Sequence, residues 1–135
     1  MGYITRVTGE FAITPPLTWD EIMGSRFHVV CPDLQYADGI DLGLRIHEES
    51  TETPEGTLIR RTAAALVMPE IDEYRAYTLI EQVQRVVDMF PAHDWTGRLD
   101  CEGEDNTDVW RVVIRDGRAL KIEPRIVWPD EDGAL

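Results

Sequence analysis

Two groups of residues have types and spacing that could do chemistry. The first is the run Glu102-Gly103-Glu104-Asp105-Asn106-Thr107-Asp108, with four carboxylates in seven positions. Oxygen ligands at this density could hold calcium or magnesium, or supply an acid and a base. A calcium loop of the EF-hand kind needs oxygens at alternating positions, a central Gly and a closing Glu, and this run lacks that order. It reads instead as a solvated strand connection whose acidic tip, Glu102, Glu104, Asp105 and Asp108, is open to a partner. The second group emerges when the strands are read by face. Arg6, Arg45, Arg98, Arg111 and Arg115 fall opposite the apolar face, together with Glu10, Asp41 and Asp100. Cross-strand ion pairs on a wet sheet are the plain expectation. The sharper one is a concave arginine surface that holds an anionic ligand or an acidic protein patch, because guanidinium groups grip carboxylate and phosphate with two bonds at once.

Other chemistries find little support. Cys31 and Cys101 stand in no metal or redox spacing and read as buried thiols. His28, His47 and His93 form no paired zinc motif. Ser25 and Ser50 are the only serines, and neither has the surroundings of a nucleophile. No glycine-rich phosphate loop occurs. No catalytic residue, metal or cofactor is therefore expected. The net charge of −13 disfavours a phosphate-backbone ligand, which needs a cationic surface. Tyr3, Phe11 and Trp110 fall on the inferred core face, which argues against an RNA-binding sheet with exposed stacking aromatics. Of the 13 basic residues only Lys121 is not arginine, as a GC-rich genome would produce. The chain shows neither a secretory leader nor the roughly 18 apolar residues of a membrane span, so a soluble cytoplasmic protein is expected.

The candidate residues must be positioned by elements, and these are partly legible. Tyr3, Thr5, Val7, Gly9, Phe11 and Ile13 alternate with Ile4, Arg6, Thr8, Glu10 and Ala12, the period of a half-buried inner strand. Pro15-Pro16 stops that ladder, since proline brings no donor. Thr18 and Glu21 have capping-box spacing and Leu17 and Ile22 staple spacing, which predicts a helix start there and an end near Gly24-Ser25. Trp19 and Trp95 read as core-edge side chains. Residues 27–39 read as loop. Ile40 to His47 is a second strand, 48–56 an acidic turn-like stretch, and Thr57 to Met68 a third strand, buried on both faces from Ala63 onward. Pro69 opens the longest helix, with Ala76, Leu79, Ile80, Val83, Val86, Val87 and Phe90 on one face and Gln82 among the polar residues opposite; Pro91 closes it. Thr96 to Cys101 is a fourth strand.

Val109 to Ile122 reads as a hairpin around Asp116-Gly117. A two-residue turn would set Val113 opposite Leu120. A three-residue loop, Arg115-Asp116-Gly117, aligns Trp110, Val112, Ile114, Leu120 and Ile122 on one face, and hydrophobic pattern selects it. The expected fold class is α+β: a ferredoxin-like βαββαβ antiparallel sheet with two helices on one face, extended by a C-terminal β-hairpin. Residues 1–128 form one domain and 129–135 an acidic disordered tail.

Met1-Gly2-Tyr3 with Gly9, then Pro15-Pro16-Leu17-Thr18-Trp19, resembles the start of a family of small uncharacterised proteins from actinobacteria and their phages. The likeness continues at Gly97, at Gly103-Glu104-Asp105 with Asp108, and from Trp110 to Gly117, and so touches most of the chain. The family's function is unknown, and the resemblance implies no catalytic residues. The arginine bias agrees with such an origin. Taken together, these features point to a non-enzymatic accessory or inhibitory factor whose partner is another protein, with no nucleic acid or membrane partner. One version mimics nucleic acid with its carboxylates, and a homodimer through a sheet edge or face is compatible. The alternative is a small anionic-ligand-binding or enzymatic domain that uses the arginine face.

Overall fold

The opening alternation builds β1, Arg6–Thr18, and this is the strand on which the rest assembles. The computed structural model describes residues 3–31, 34–36, 39–71 and 74–129. After β1 come α1 (Trp19–Met23), β2 (His28–Cys31), β3 (Leu34–Tyr36), β4 (Gly43–Thr53), β5 (Gly56–Val67), α2 (Leu79–Met89), β6 (Asp94–Glu102), β7 (Val109–Arg115) and β8 (Arg118–Ile122). The eight strands form one antiparallel sheet in the order β2-β3-β4-β5-β1-β6-β7-β8. β1 is an inner strand, as its pattern predicted.

The architecture is α+β, but the sheet departs from a simple ferredoxin-like one. That topology needs a full helix between the first two strands. Here α1 has five residues, and the stretch expected as loop supplies the pair β2–β3 at the sheet margin. The final hairpin, β7–β8, extends the opposite margin, as expected. β1 also runs past Pro15-Pro16 rather than stopping there. Its pairing with β5 shifts between Ala12 and Leu17, and this irregularity accommodates two residues without donors. The acidic stretch 48–56, expected as turn, lies mostly in the β4–β5 ladder, which closes at Thr53 opposite Gly56. Threonines and paired charges let an exposed ribbon take strand form without an apolar face.

The sheet buries one face. Phe11, Leu44, Leu66, Leu99 and Val112 meet Leu79, Val83, Val86, Val87 and Phe90 of the α2 region in a single core that also takes in Ile22 of α1. The capping box is present, with Glu21 N–H donating to Thr18 Oγ1 and Thr18 N–H to Glu21 Oε1, and both staple residues are fully buried. Trp19 packs half-buried at the edge of the core, and Trp95 is buried. α2 begins at Leu79, ten residues later than Pro69, and ahead of it Thr5 N–H donates to Tyr74 O at 2.8 Å. Gln82 is buried rather than exposed; its amide accepts from Asp41 N–H at 2.8 Å and donates to Asp41 Oδ2 at 3.0 Å. Two residues on, Gln84 accepts from Ala119 N–H at 2.8 Å and donates to Gly117 O at 2.9 Å, tying α2 to the outer side of β8. No helix among the described residues is long and apolar enough to cross a membrane. Of the expected tail, residues 130–135 lie outside the described residues.

Candidate functional site

Strand parity places the site. Phe11, Leu99 and Val112 point to the helices, so Arg6 and Glu10 of β1, Arg98 and Asp100 of β6, and Arg111 and Arg115 of β7 point to the open face. Arg45 of β4 faces the same way, opposite Ala65. The five arginines expected on one face therefore share it. Asp41 does not join them, because its bonds to Gln82 hold it on the helix side. β1 and β6 approach closely beneath this surface. Gly9 and Gly97 have φ of +104° and +106°, and a Cβ on either would overlap a backbone carbonyl of the neighbouring strand, Arg98 O or Glu10 O.

The charges are only partly compensated. Arg45 grips both oxygens of Glu10, at 2.7 and 3.3 Å, reaching across the small side chain of Ala65. Asp100 accepts from Arg111 Nε at 2.8 Å and from Arg98 Nε at 3.3 Å, so one carboxylate serves two guanidinium groups. These pairs are about half exposed, and each is worth about 0.2–1 kcal/mol. Among the described residues, Arg6, Arg115 and Arg118 have no carboxylate within ion-pair distance.

Arg118 was not among the expected residues, and the reason is the hairpin register. β7 and β8 pair Arg115 with Arg118, Val113 with Leu120 and Arg111 with Ile122, so the turn has two residues, not three. Asp116 and Gly117 both have positive φ, +51° and +75°, the turn whose twist matches that of the strands it joins. The two-residue turn has two effects. Arg118 sits directly opposite Arg115, a like-charge pair that is unfavourable unless an anion lies between. Val113, Leu120 and Ile122 turn to the open face and give it an apolar floor. Two adjoining hollows of about 580 and 470 Å³ share Arg111 and Ile122 and form a trough across β6, β7 and β8.

The acidic run is the β6–β7 connection. Gly103 N–H donates to Asp108 O at 2.8 Å, Asp108 N–H to Asp105 O at 3.0 Å, and Asp105 N–H to Tyr3 Oη at 3.0 Å. The Asp105 amide pulls the Tyr3 pKa down, but the Asp108 carboxylate beside the hydroxyl, desolvation and the charge of Asp105 together outweigh it and the net shift is upward. Glu102, Glu104 and Asp105 are exposed, and no metal-holding group of His, Cys, Asp or Glu occurs among the described residues. Burial pushes the Cys101 thiol up to about 12, which leaves it unreactive.

A second polar cluster went unread in the sequence. The His93 side chain is buried, with Nδ1 2.6 Å from Pro15 O and Nε2 2.6 Å from Glu21 Oε2. A carbonyl and a carboxylate only accept, so both ring nitrogens carry protons and the ring is an imidazolium. Burial opposes that charge, but the bonds to Glu21 and Pro15 outweigh it and the His93 pKa is raised; the Glu21 pKa is lowered by His93. With both nitrogens occupied, the pair is a clamp between β1 and α1. It has no free lone pair to act as a base.

A family sequence model matches residues 1–135. The chain belongs to DUF6205, a family of unknown function. This agrees with the resemblance drawn from the motifs at both ends of the chain. No curated protein and no solved structure matches. The chemistry of the arginine trough follows from the geometry of this chain alone.

Proposed function

We propose that this chain is a non-enzymatic protein-binding module whose arginine trough holds an acidic, partly apolar segment of a partner protein. The observation that carries the reading is the opposition of Arg115 and Arg118 beside an apolar floor. Two like charges with no carboxylate of their own favour an incoming anion, and Val113 and Ile122 favour one with hydrocarbon attached. A free phosphate or other small anion is the second reading, supported by the same two guanidinium groups but leaving the floor unused. The acidity of the remaining surface repels nucleic acid, in line with a protein partner.

The test is fluorescence anisotropy with a labelled peptide of two leucines flanked by glutamates. Saturable binding should weaken about tenfold or more in R115Q/R118Q, about 1.4 kcal/mol. Inorganic phosphate at millimolar concentration should not displace the peptide. Equal affinity in the double variant, or equal affinity for a lysine-flanked peptide, overturns the reading.

A further inference from the structure

The segment that follows β8 has the composition that the trough selects. Residues 123–129 are all exposed and belong to no strand or helix, and Ile126, Val127 and Trp128 stand 80, 56 and 85% open to solvent. Single exposed apolar residues need no explanation, but three in succession form a patch of the kind that another surface covers. Asp130, Glu131 and Asp132 come next in the sequence, so 126–132 holds three carboxylates and no base. In an extended chain Ile126, Trp128, Asp130 and Asp132 share one side. The open face of β8 reads Ile122, Leu120, Arg118, and Arg115 lies opposite Arg118. Two apolar residues and two acids thus match two apolar residues and two bases, step for step. From Ile126 to Asp130 an extended chain covers the same distance as from Ile122 to Arg118, about 14 Å.

We propose that residues 126–132 fold back onto the trough of their own chain, and that the form with this tail exposed is the open one, which receives a partner. The inference rests on the reading of the trough as a site for an acidic, partly apolar segment. It gives that segment a pattern: two apolar residues and then two acids, at every second position. The link is short and already in place. Pro124 lines the trough, and proline favours the second position of a turn, here Glu123-Pro124-Arg125. The Glu123 carboxylate pairs with Lys121 at 3.4 Å, away from the face that Leu120 and Ile122 share. Gln84 occupies Ala119 N–H and Gly117 O at the edge of β8, so the returning segment lies over the open face rather than beside β8 as a ninth strand. On so short a link the tail is present at its own trough at about 1 mM, and a tail with a Kd of about 0.1 mM in trans masks the site about tenfold.

The test is anisotropy of the labelled glutamate-leucine peptide on the full chain, wild type against I126S/W128S/D130N/D132N. Ile126 and Trp128 are exposed, so the circular dichroism spectrum should not change. The tail variant should bind the peptide about tenfold tighter, and an unlabelled peptide of residues 125–133 should displace it. R115Q/R118Q should weaken binding more in the tail variant than in the intact chain, because in the intact chain the same change also releases the tail. Equal affinity of wild type and tail variant, or a 125–133 peptide that displaces nothing, overturns the fold-back; the trough reading stands if R115Q/R118Q still weakens binding. A tail variant that ignores the glutamate-leucine peptide sinks the trough reading itself. A wild type that sediments at twice 15.4 kDa, with a tail variant that does not, places the segment in a second copy and overturns the fold-back.

Discussion

Gly97 carries a constraint that no other residue type can meet. Its φ of +106° lies where side chains are strained, and an added Cβ would overlap the Glu10 carbonyl. Gly97→Ala should therefore lower the unfolding free energy by about 2–4 kcal/mol in urea titration, a large share of a small domain's stability. The same residue lines the trough beside Arg98, so its close approach also sets the depth of the site. Residue identity was legible where a strand pattern was strong: parity alone put Arg6, Arg45, Arg98, Arg111 and Arg115 together. It failed at Arg118. Val113, Leu120 and Ile122 look like core residues, and a register chosen to bury Leu120 and Ile122 turns them away from the face they occupy. An apolar functional surface misleads any argument that assigns all apolar residues to the interior.

At the scale of elements, α1 has too few residues to stand as an isolated helix, so its position depends on what holds it. The capping box and staple are local and were readable. The His93 clamp joins residues more than seventy positions apart in sequence, and no spacing rule reports it. Its electrostatics give a pH dependence. The raised His93 pKa means that its contribution is complete below the ordinary value of 6.5 and is lost as pH rises through the folded-state value. The lowered Glu21 pKa means that its contribution is complete above the ordinary value of 4.5 and is lost as pH falls through its folded-state value. The pair is thus strongest between pH 4.5 and 6.5. His93→Gln should cost about 1–2 kcal/mol in that window, and the gap should shrink above it, with Asp94 and Glu21 the neighbouring acids. A gap constant from pH 5 to 9 in thermal melts of the two proteins contradicts the imidazolium.

For the whole molecule, the charge of −13 is unevenly placed, with the arginine trough set in an otherwise acidic surface. Self-repulsion weakens a compact state at low salt and is screened over about 8 Å at physiological ionic strength. The melting temperature of the protein should therefore rise by a few degrees between about 0.01 and 0.15 M salt, while its affinity for the acidic peptide falls. Parallel trends in the two measurements contradict the separation of charge. The sheet as a whole was less readable than its parts. β2 and β3 are four- and three-residue strands in a stretch rich in turn signals, and a single short strand has too few residues to show a period.

A sheet ends either because nothing further pairs or because something occupies the place of the next strand. At β8 it is the second. The side-chain amide of Gln84 offers Ala119 an acceptor and Gly117 a donor, the same two groups that an incoming backbone would bring. The helix thus carries a forged peptide bond at the margin of the sheet. That stretch of the edge, next to the turn, is closed to any strand that would add to the sheet there.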